Sequence, residues 1–387
     1  MALLSNDVSI LVNSRFQFRH HLIDTDLPVD YYAQTAAADL DGCGRPEYIV
    51  GRRAGDIYCY KYQAPDRWTR HLLGENSPSD VGACVADVDG DGHLDFVTGG
   101  AWYRNSQDLN QPFERIVFDP DLSGVHDVVC GDLDGDGRPE IVTMSDQNSL
   151  RWYRIPDDPR QPWPCTEIGP PVHAGASLGD VDGDGHLDVV RTDVWYENVR
   201  GDGSLWVPHD IGPNTPPPDD FRPYFAFNAT KSVVCDMNGN GKNDIVFTDA
   251  EIPGGKVWWM ENLDGDGRHW QRHEVPNGDA RRRGAYHCLH VGDLDGDGDL
   301  DLLTCEMEAV CGESNPRWYI WENLDGTGGA WQEHVILDAN LGGHEVVVAD
   351  FTGNGRPDVV GKPWMARAEN ALGGRMFVVF LENISER

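Results

Sequence analysis

The feature that most limits what this chain can fold into is a nine-residue acidic pattern that recurs seven times. It reads Asp-x-Asp/Asn-Gly-Asp/Asn-Gly-x-x-Asp/Glu, and its copies, some imperfect, begin at Asp39, Asp87, Asp132, Asp180, Asp236, Asp293 and Asp350. Successive copies lie 48, 45, 48, 56, 57 and 57 residues apart. A period of this size is the mark of a solenoid or a propeller. It explains the length of 387 residues better than two or three unrelated domains would.

Each repeat reads as four short strands. An apolar run precedes the acidic pattern (Ala83–Ala86) and a second follows it (Leu94–Thr98). A third is aromatic, as in Trp102-Tyr103, Trp152-Tyr153, Trp195-Tyr196, Trp258-Trp259 and Tyr319-Ile320-Trp321. A fourth alternates charged and apolar residues, as in Thr69–Leu72, Gln271–Val275 and Gln332–Ile336. Gly, Pro and Asn separate the runs, and no apolar period of helical length appears. The expected fold is therefore all-β: a seven-bladed β-propeller of four-stranded antiparallel blades. Residues 15–23 resemble a fourth strand without its first three, and the last repeat lacks its fourth. The N-terminal strand should complete the last blade, which removes two sheet edges. Residues 15–387 then form one domain, behind a loosely held 1–14 extension.

Carboxylates at alternate positions converge on one point, and glycines allow the chain to bend around it. Hard oxygen donors select a hard cation, most often Ca²⁺. The last acid comes eight positions after the first, where an EF-hand places it at eleven between helices. The complete ligand sets are Asp87, Asp89, Asp91 and Asp95; Asp132, Asp134, Asp136 and Glu140; Asp180, Asp182, Asp184 and Asp188; and Asp293, Asp295, Asp297 and Asp301. Asp236, Asn238, Asn240 and Asp244 offer less charge, as do Asp350, Asn354 and Asp358. The loop at Asp39 has Cys43 where an acid is expected. Four well-occupied structural calcium sites and three weak or empty ones are expected, against the alternative of metal-free Asp-Gly turns.

These motifs resemble FG-GAP/VCBS-type repeats and the calcium loops of integrin α-subunit propellers, over about residues 15–383. The Phe-Gly and Gly-Ala-Pro elements of the FG-GAP repeat are not evident, so an adhesion role is not implied.

Lys and Arg number 31 against 65 Asp and Glu, a formal charge of −34. Such a polyanion repels nucleic acid, and no stretch approaches the roughly 20 apolar residues that cross a bilayer. The nine cysteines are scattered without a Cys-x-x-Cys pair and fit free thiols. No basic n-region or apolar h-region marks the N-terminus. Calcium loops favour a secreted or periplasmic setting and free thiols allow the cytoplasm, so the compartment stays open. A monomer is expected.

In a four-stranded blade the entries to the inner strands share a face with the turns after the second strands. Entry positions include Tyr32, Asp80, His126, His173, Ala229 with Lys231 close by, Tyr286-His287 and His344. The turns add Arg52, Arg53, Asp146, Arg191, Glu251, Glu306, Lys362 and Trp364, and two longer inserts add Tyr224 and Arg283. This reads as a cationic, aromatic funnel for an acidic saccharide. β-Elimination on a uronic-acid polysaccharide needs a carboxylate neutraliser (Arg53, Arg191 or Arg283), a base (His126 or His173) and an acid (Tyr286 or His287). Tyr32, Arg52, Tyr224, Lys231, Arg283, His344, Lys362 and Trp364 would bind substrate. The layout is similar to seven-bladed propeller polysaccharide lyases (ulvan and rhamnose–glucuronate lyases) and related rhamnosidases. The segment Gly254–Asn262 with Trp270–His273 resembles the propeller part of aldos-2-ulose dehydratase, a longer enzyme. A non-catalytic glycan- or protein-binding propeller, a paired-carboxylate hydrolase and a sugar dehydratase remain as alternatives.

Overall fold

The computed structural model describes residues 9–11, 15–28, 31–79, 81–213, 230–308, 315–367 and 370–385. Among them there is no α-helix, and six four-stranded antiparallel sheets and one five-stranded sheet form the blades. Blade 1 runs Gln34–Ala38, Glu47–Gly51, Ile57–Ala64 and Arg67–Gly74 from the axis outward, and the next five blades repeat this order. Their inner strands are Cys84–Ala86, Val125–Gly131, Ser177–Gly179, Thr230–Cys235 and His290–Gly292. Blade 7 joins Glu345–Ala349, Asp358–Lys362 and Val378–Asn383 to the N-terminal strand Gln17–Asp24, with Phe18 opposite Asn383 and Leu22 opposite Val379. The seven-bladed propeller and its closure by the N-terminal strand are thus as the sequence leads one to expect. Within the 1–14 segment expected to be loose, Ser9–Leu11 pairs with Gln17–Arg19 as a fifth strand. The rest of that segment lies outside the described residues.

The aromatic third strands form the walls between blades. Trp102, Trp195, Trp259 and Trp321 are at most 2% exposed. Each apolar cluster spans two neighbouring blades. One joins Trp102 and Val97 to Ile141 and Tyr153, and another joins Leu303 and Trp318 to Val359 and Leu381. Phe16 and Phe18 from the N-terminal strand lie in the second cluster, so closure also buries apolar area.

Polar ties follow the same repeat. The last acid of each loop is at most 1% exposed, from Glu47 in blade 1 to Asp358 in blade 7. Asp95 accepts the Val88 amide at 3.0 Å on one oxygen and the Asn105 amide at 2.7 Å on the other. One carboxylate therefore pins the loop to the third strand. Asn105 then donates from its side chain to Leu40 O of blade 1 at 2.8 Å. Asn198 reaches Leu133 O of the preceding blade at 2.7 Å, and Asn262 reaches Val181 O at 2.8 Å. Asn198→Ala would leave a buried carbonyl unpaired and should cost about 1–3 kcal/mol. An unchanged midpoint in urea unfolding would contradict that role.

Candidate functional site

Four imidazoles meet at the axis, on the face opposite the acidic loops. His126 sits at a bulge in the inner strand of blade 3, between Val125 opposite Ser145 and Asp127 opposite Met144. The extra residue has no cross-strand partner, and a bulge of this kind re-aims its side chain. Its Nδ1 lies 3.0 Å from Ala174 O. A carbonyl can only accept, so Nδ1 carries the proton and Nε2 keeps its lone pair. The His173 ring lies 3.7 Å from that of His126, and the His344 ring 3.6 Å from that of His287.

Glu251, after the second strand of blade 5, is the hub. Its Oε1 is 3.1 Å from His287 Nε2 and 3.7 Å from His173 Nε2. His287 Nδ1 is 3.4 Å from Glu345 Oε1, which also meets Lys231 Nζ at 2.8 Å. His173 Nδ1 lies 3.6 Å from Asp146, and Lys231 lies 3.7 Å from Asp127. His287 is fully buried, and His126 and His344 are 5% and 3% exposed.

Burial holds His126 and His344 well below the usual imidazole range, with neighbouring positive charge adding to the effect, so both are neutral. Burial acts on His287 in the same direction, but Glu251 and Glu345 override it and raise it to about 9. Glu345 is held at about 2 because Lys231 and His287 outweigh its burial. Burial lowers Lys362 to about 8 against the pull of Glu345 and Glu308.

The structure brings together His126, His173, His287, His344 and Lys231, with Lys362 and Trp364 beside them. The Trp364 ring lies 6.0 Å from that of His344. Other sequence candidates lie elsewhere. Tyr32 is fully buried and donates to Pro28 O at 2.9 Å, so it is core. Its neighbour Tyr31 takes the exposed place instead, at 49% exposure and φ 76°, with its ring 5.1 Å from Trp364. Tyr286 points the opposite way from His287, into the wall with Tyr319 and Trp321. Arg191 turns to Tyr196 OH at 2.8 Å, and Arg283 pairs with Glu333 at 2.9 Å over the Tyr319 ring. Arg53 is exposed on its turn, with Arg52 half-buried beside it. Tyr224 lies outside the described residues. The axis is therefore no single-sign cationic funnel, because Glu251, Glu345 and Asp127 match its cations. Glu345 and Asp127 directly follow His344 and His126 in sequence, and that adjacency was the available signal.

The acidic loops have the shape a cation loop needs. Asp87 accepts the Asp91 and Gly92 amides at 3.0 and 2.9 Å, while Gly90 and Gly92 take φ of 71° and 86°. Oxygens of Asp87, Asp89 and Asp95 lie within 4.8 Å of one another. Burial, aided by neighbouring loop carboxylates, raises Asp95 and Asp301 to about 7 and Asp188 to about 8. An all-oxygen set that strains its own ionisation fits a hard divalent cation, which would relieve the repulsion.

Comparison with known proteins agrees with this architecture. A search of curated proteins found no match. The chain resembles crystal structures of BBS1N in complex with ARL6DN, soaked with lead (TM-score 0.55) or mercury (0.52). Both are 10% identical, over 94% of this chain and 96% of theirs. It also resembles rhamnogalacturonan lyase YesW, at TM-score 0.48 and 12% identity, over 95% of this chain and 76% of that one. The FG-GAP-like repeat model matches residues 39–98, 132–191, 236–304 and 308–361, and the chain belongs to that family.

Proposed function

We propose that this chain is a carbohydrate-active carbon–oxygen lyase that acts on an acidic saccharide at the propeller axis. The acidic loops are read with it as structural calcium sites. The observation that carries the reading is the convergence of four imidazoles and two carboxylates from five blades. Donor atoms of His126, Glu251 and His287 lie within 4.8 Å of one another, as do those of His287, His344 and Glu345. His126 and His344 are neutral imidazoles, and with His287, whose proton a cation would displace, and the two carboxylates they form a donor set for a divalent transition cation such as Zn²⁺ or Mn²⁺, whereas Ca²⁺ prefers oxygen. The Ala174 carbonyl on His126 is the outer contact that orients such a ligand. When bound, the cation would supply the positive charge that makes the proton next to a sugar carboxylate acidic. Of the arginines read for that task from sequence, Arg191 and Arg283 are engaged elsewhere.

His173 is the candidate base, and its side chain is 13% exposed where that of His287 is fully buried. It takes the C5 proton, the electron pair closes the C4=C5 bond, and the glycosidic oxygen leaves C4, gaining a proton from solvent. Tyr31 and Trp364 form an aromatic rim on which a sugar ring can stack. The strained backbone at Tyr31 supports this role, since a non-glycine residue at positive φ is held there by its surroundings. The full burial of His287 favours a second reading, in which the axial cation only locks the ring of a binding propeller.

Metal analysis of the purified chain should find one transition-metal ion at the axis. His287→Ala should lose it and lower the melting temperature. His173→Ala should keep the ion and the melting temperature, and should lose turnover by on the order of a hundredfold or more. A screen of uronate polysaccharides, followed by ultraviolet absorbance of the new conjugated double bond, reads that turnover. Bound metal with no absorbance and no new reducing ends would leave the binding propeller.

A further inference from the structure

The residue next to the Tyr, Met, Trp or Leu that faces the start of the second strand is a lysine or arginine in three blades and a glutamate in four. It is Lys61, Arg104 and Arg154 in blades 1 to 3, and Glu197, Glu261, Glu322 and Glu382 in blades 4 to 7. In the first three the side chain already occupies the acidic loop of its own blade. Lys61 pairs with Asp41, Arg154 with Asp134, and Arg104 with both Asp89 and Asp91, the last at 2.8 Å. These heads stand where a bound cation would meet the same oxygens.

In the last four blades a fourth-strand histidine holds the glutamate by one oxygen. Oε2 meets His209 at 2.6 Å in blade 4, His273 at 2.8 Å in blade 5, His334 at 2.8 Å in blade 6 and His21 at 3.2 Å in blade 7. In Glu261 and Glu322 the other oxygen faces the loop, and in Glu197 and Glu382 the histidine-bound oxygen also meets Arg268 at 3.0 Å and Arg19 at 3.1 Å. Glu261 Oε1 accepts from Asn238 Nδ2 at 3.4 Å. Arg15, which bridges Asp295 and Asp297, lies 3.5 Å from Glu322 Oε1. The histidines of these fourth strands are thus the support of this glutamate.

We propose that this single third-strand position ranks the loops for calcium. Glu197 and Glu322 each add a carboxylate to a complete acidic loop, so the loops at Asp180 and Asp293 are the two tight sites. Arg104 and Arg154, at the ends of their own third strands, place a cation in the loops at Asp87 and Asp132, which by acid content alone would rank beside them. The exchange changes the local charge by two, and charge count is what sets affinity in such loops. A difference of on the order of tenfold or more between the two classes follows. Arg15 reaches the blade 6 loop from outside, on the stretch before Gln17–Asp24 and not from a strand of that blade, so it can withdraw without disturbing the blade. The blade 5 and blade 7 loops hold fewer acids but keep their glutamate, and rank between. This ranking rests on the reading of the loops as calcium sites.

The test is calcium titration of the full chain after chelation, by calorimetry with native mass spectrometry for stoichiometry. Two tight ions are expected. Arg104→Gln should add a third, a gain that misfolding cannot mimic. Glu197→Gln should remove one of the two, and Arg15→Gln should tighten one. Tight binding that Arg104→Gln leaves unchanged overturns the ranking alone. No binding to any variant overturns the calcium reading together with it.

Discussion

Everything in this ring depends on how the last carboxylate of each acidic loop is buried. An ionised carboxylate inside a sheet costs several kcal/mol unless its oxygens find donors. Here each oxygen of Asp95, Asp188, Asp244, Asp301 and Asp358 takes a backbone amide, one from the loop and one from the third strand. That geometry ties three strands at one end of a blade. The Asn that follows on the third strand carries the tie to the neighbouring blade in the pairs resolved at Asn105, Asn198 and Asn262. Rigidity at the loop face leaves the opposite face free to vary, and the unlike residues of the axial site are found there.

The axial site is a balance of charges that no single blade could hold. Lys231 from blade 5 is placed against Glu345 from blade 7 and Asp127 from blade 3. Glu251 from blade 5 holds imidazoles that enter blades 4 and 6. Each group is buried beside an opposite charge or a neutral imidazole, which is how a low-dielectric interior tolerates so many titratable side chains.

The fold was legible because the repeat states it: strand periods, turn residues and a closing N-terminal strand are all local signals. The four imidazoles were legible because inner-strand entries stand six or seven residues before each loop. What failed was the choice between neighbours. Tyr31 and not Tyr32 faces outward, because the backbone at Tyr31 takes a positive φ that no tyrosine announces in sequence. Tyr286 and His287 point apart because side chains alternate along an extended chain. The arginines were read as free charge, yet Arg191 and Arg283 are held by Tyr196, Tyr319 and Glu333. Glu251 gained its place only when blades far apart in sequence met at the axis.

The central claim is that the axis holds a transition cation among histidine and glutamate side chains. Anomalous scattering from crystals of the full chain, collected on both sides of the zinc and manganese absorption edges, tests it most directly. The account predicts an edge-dependent peak among His126, Glu251 and His287. Well-ordered imidazoles around a water-filled centre with no anomalous signal would contradict it.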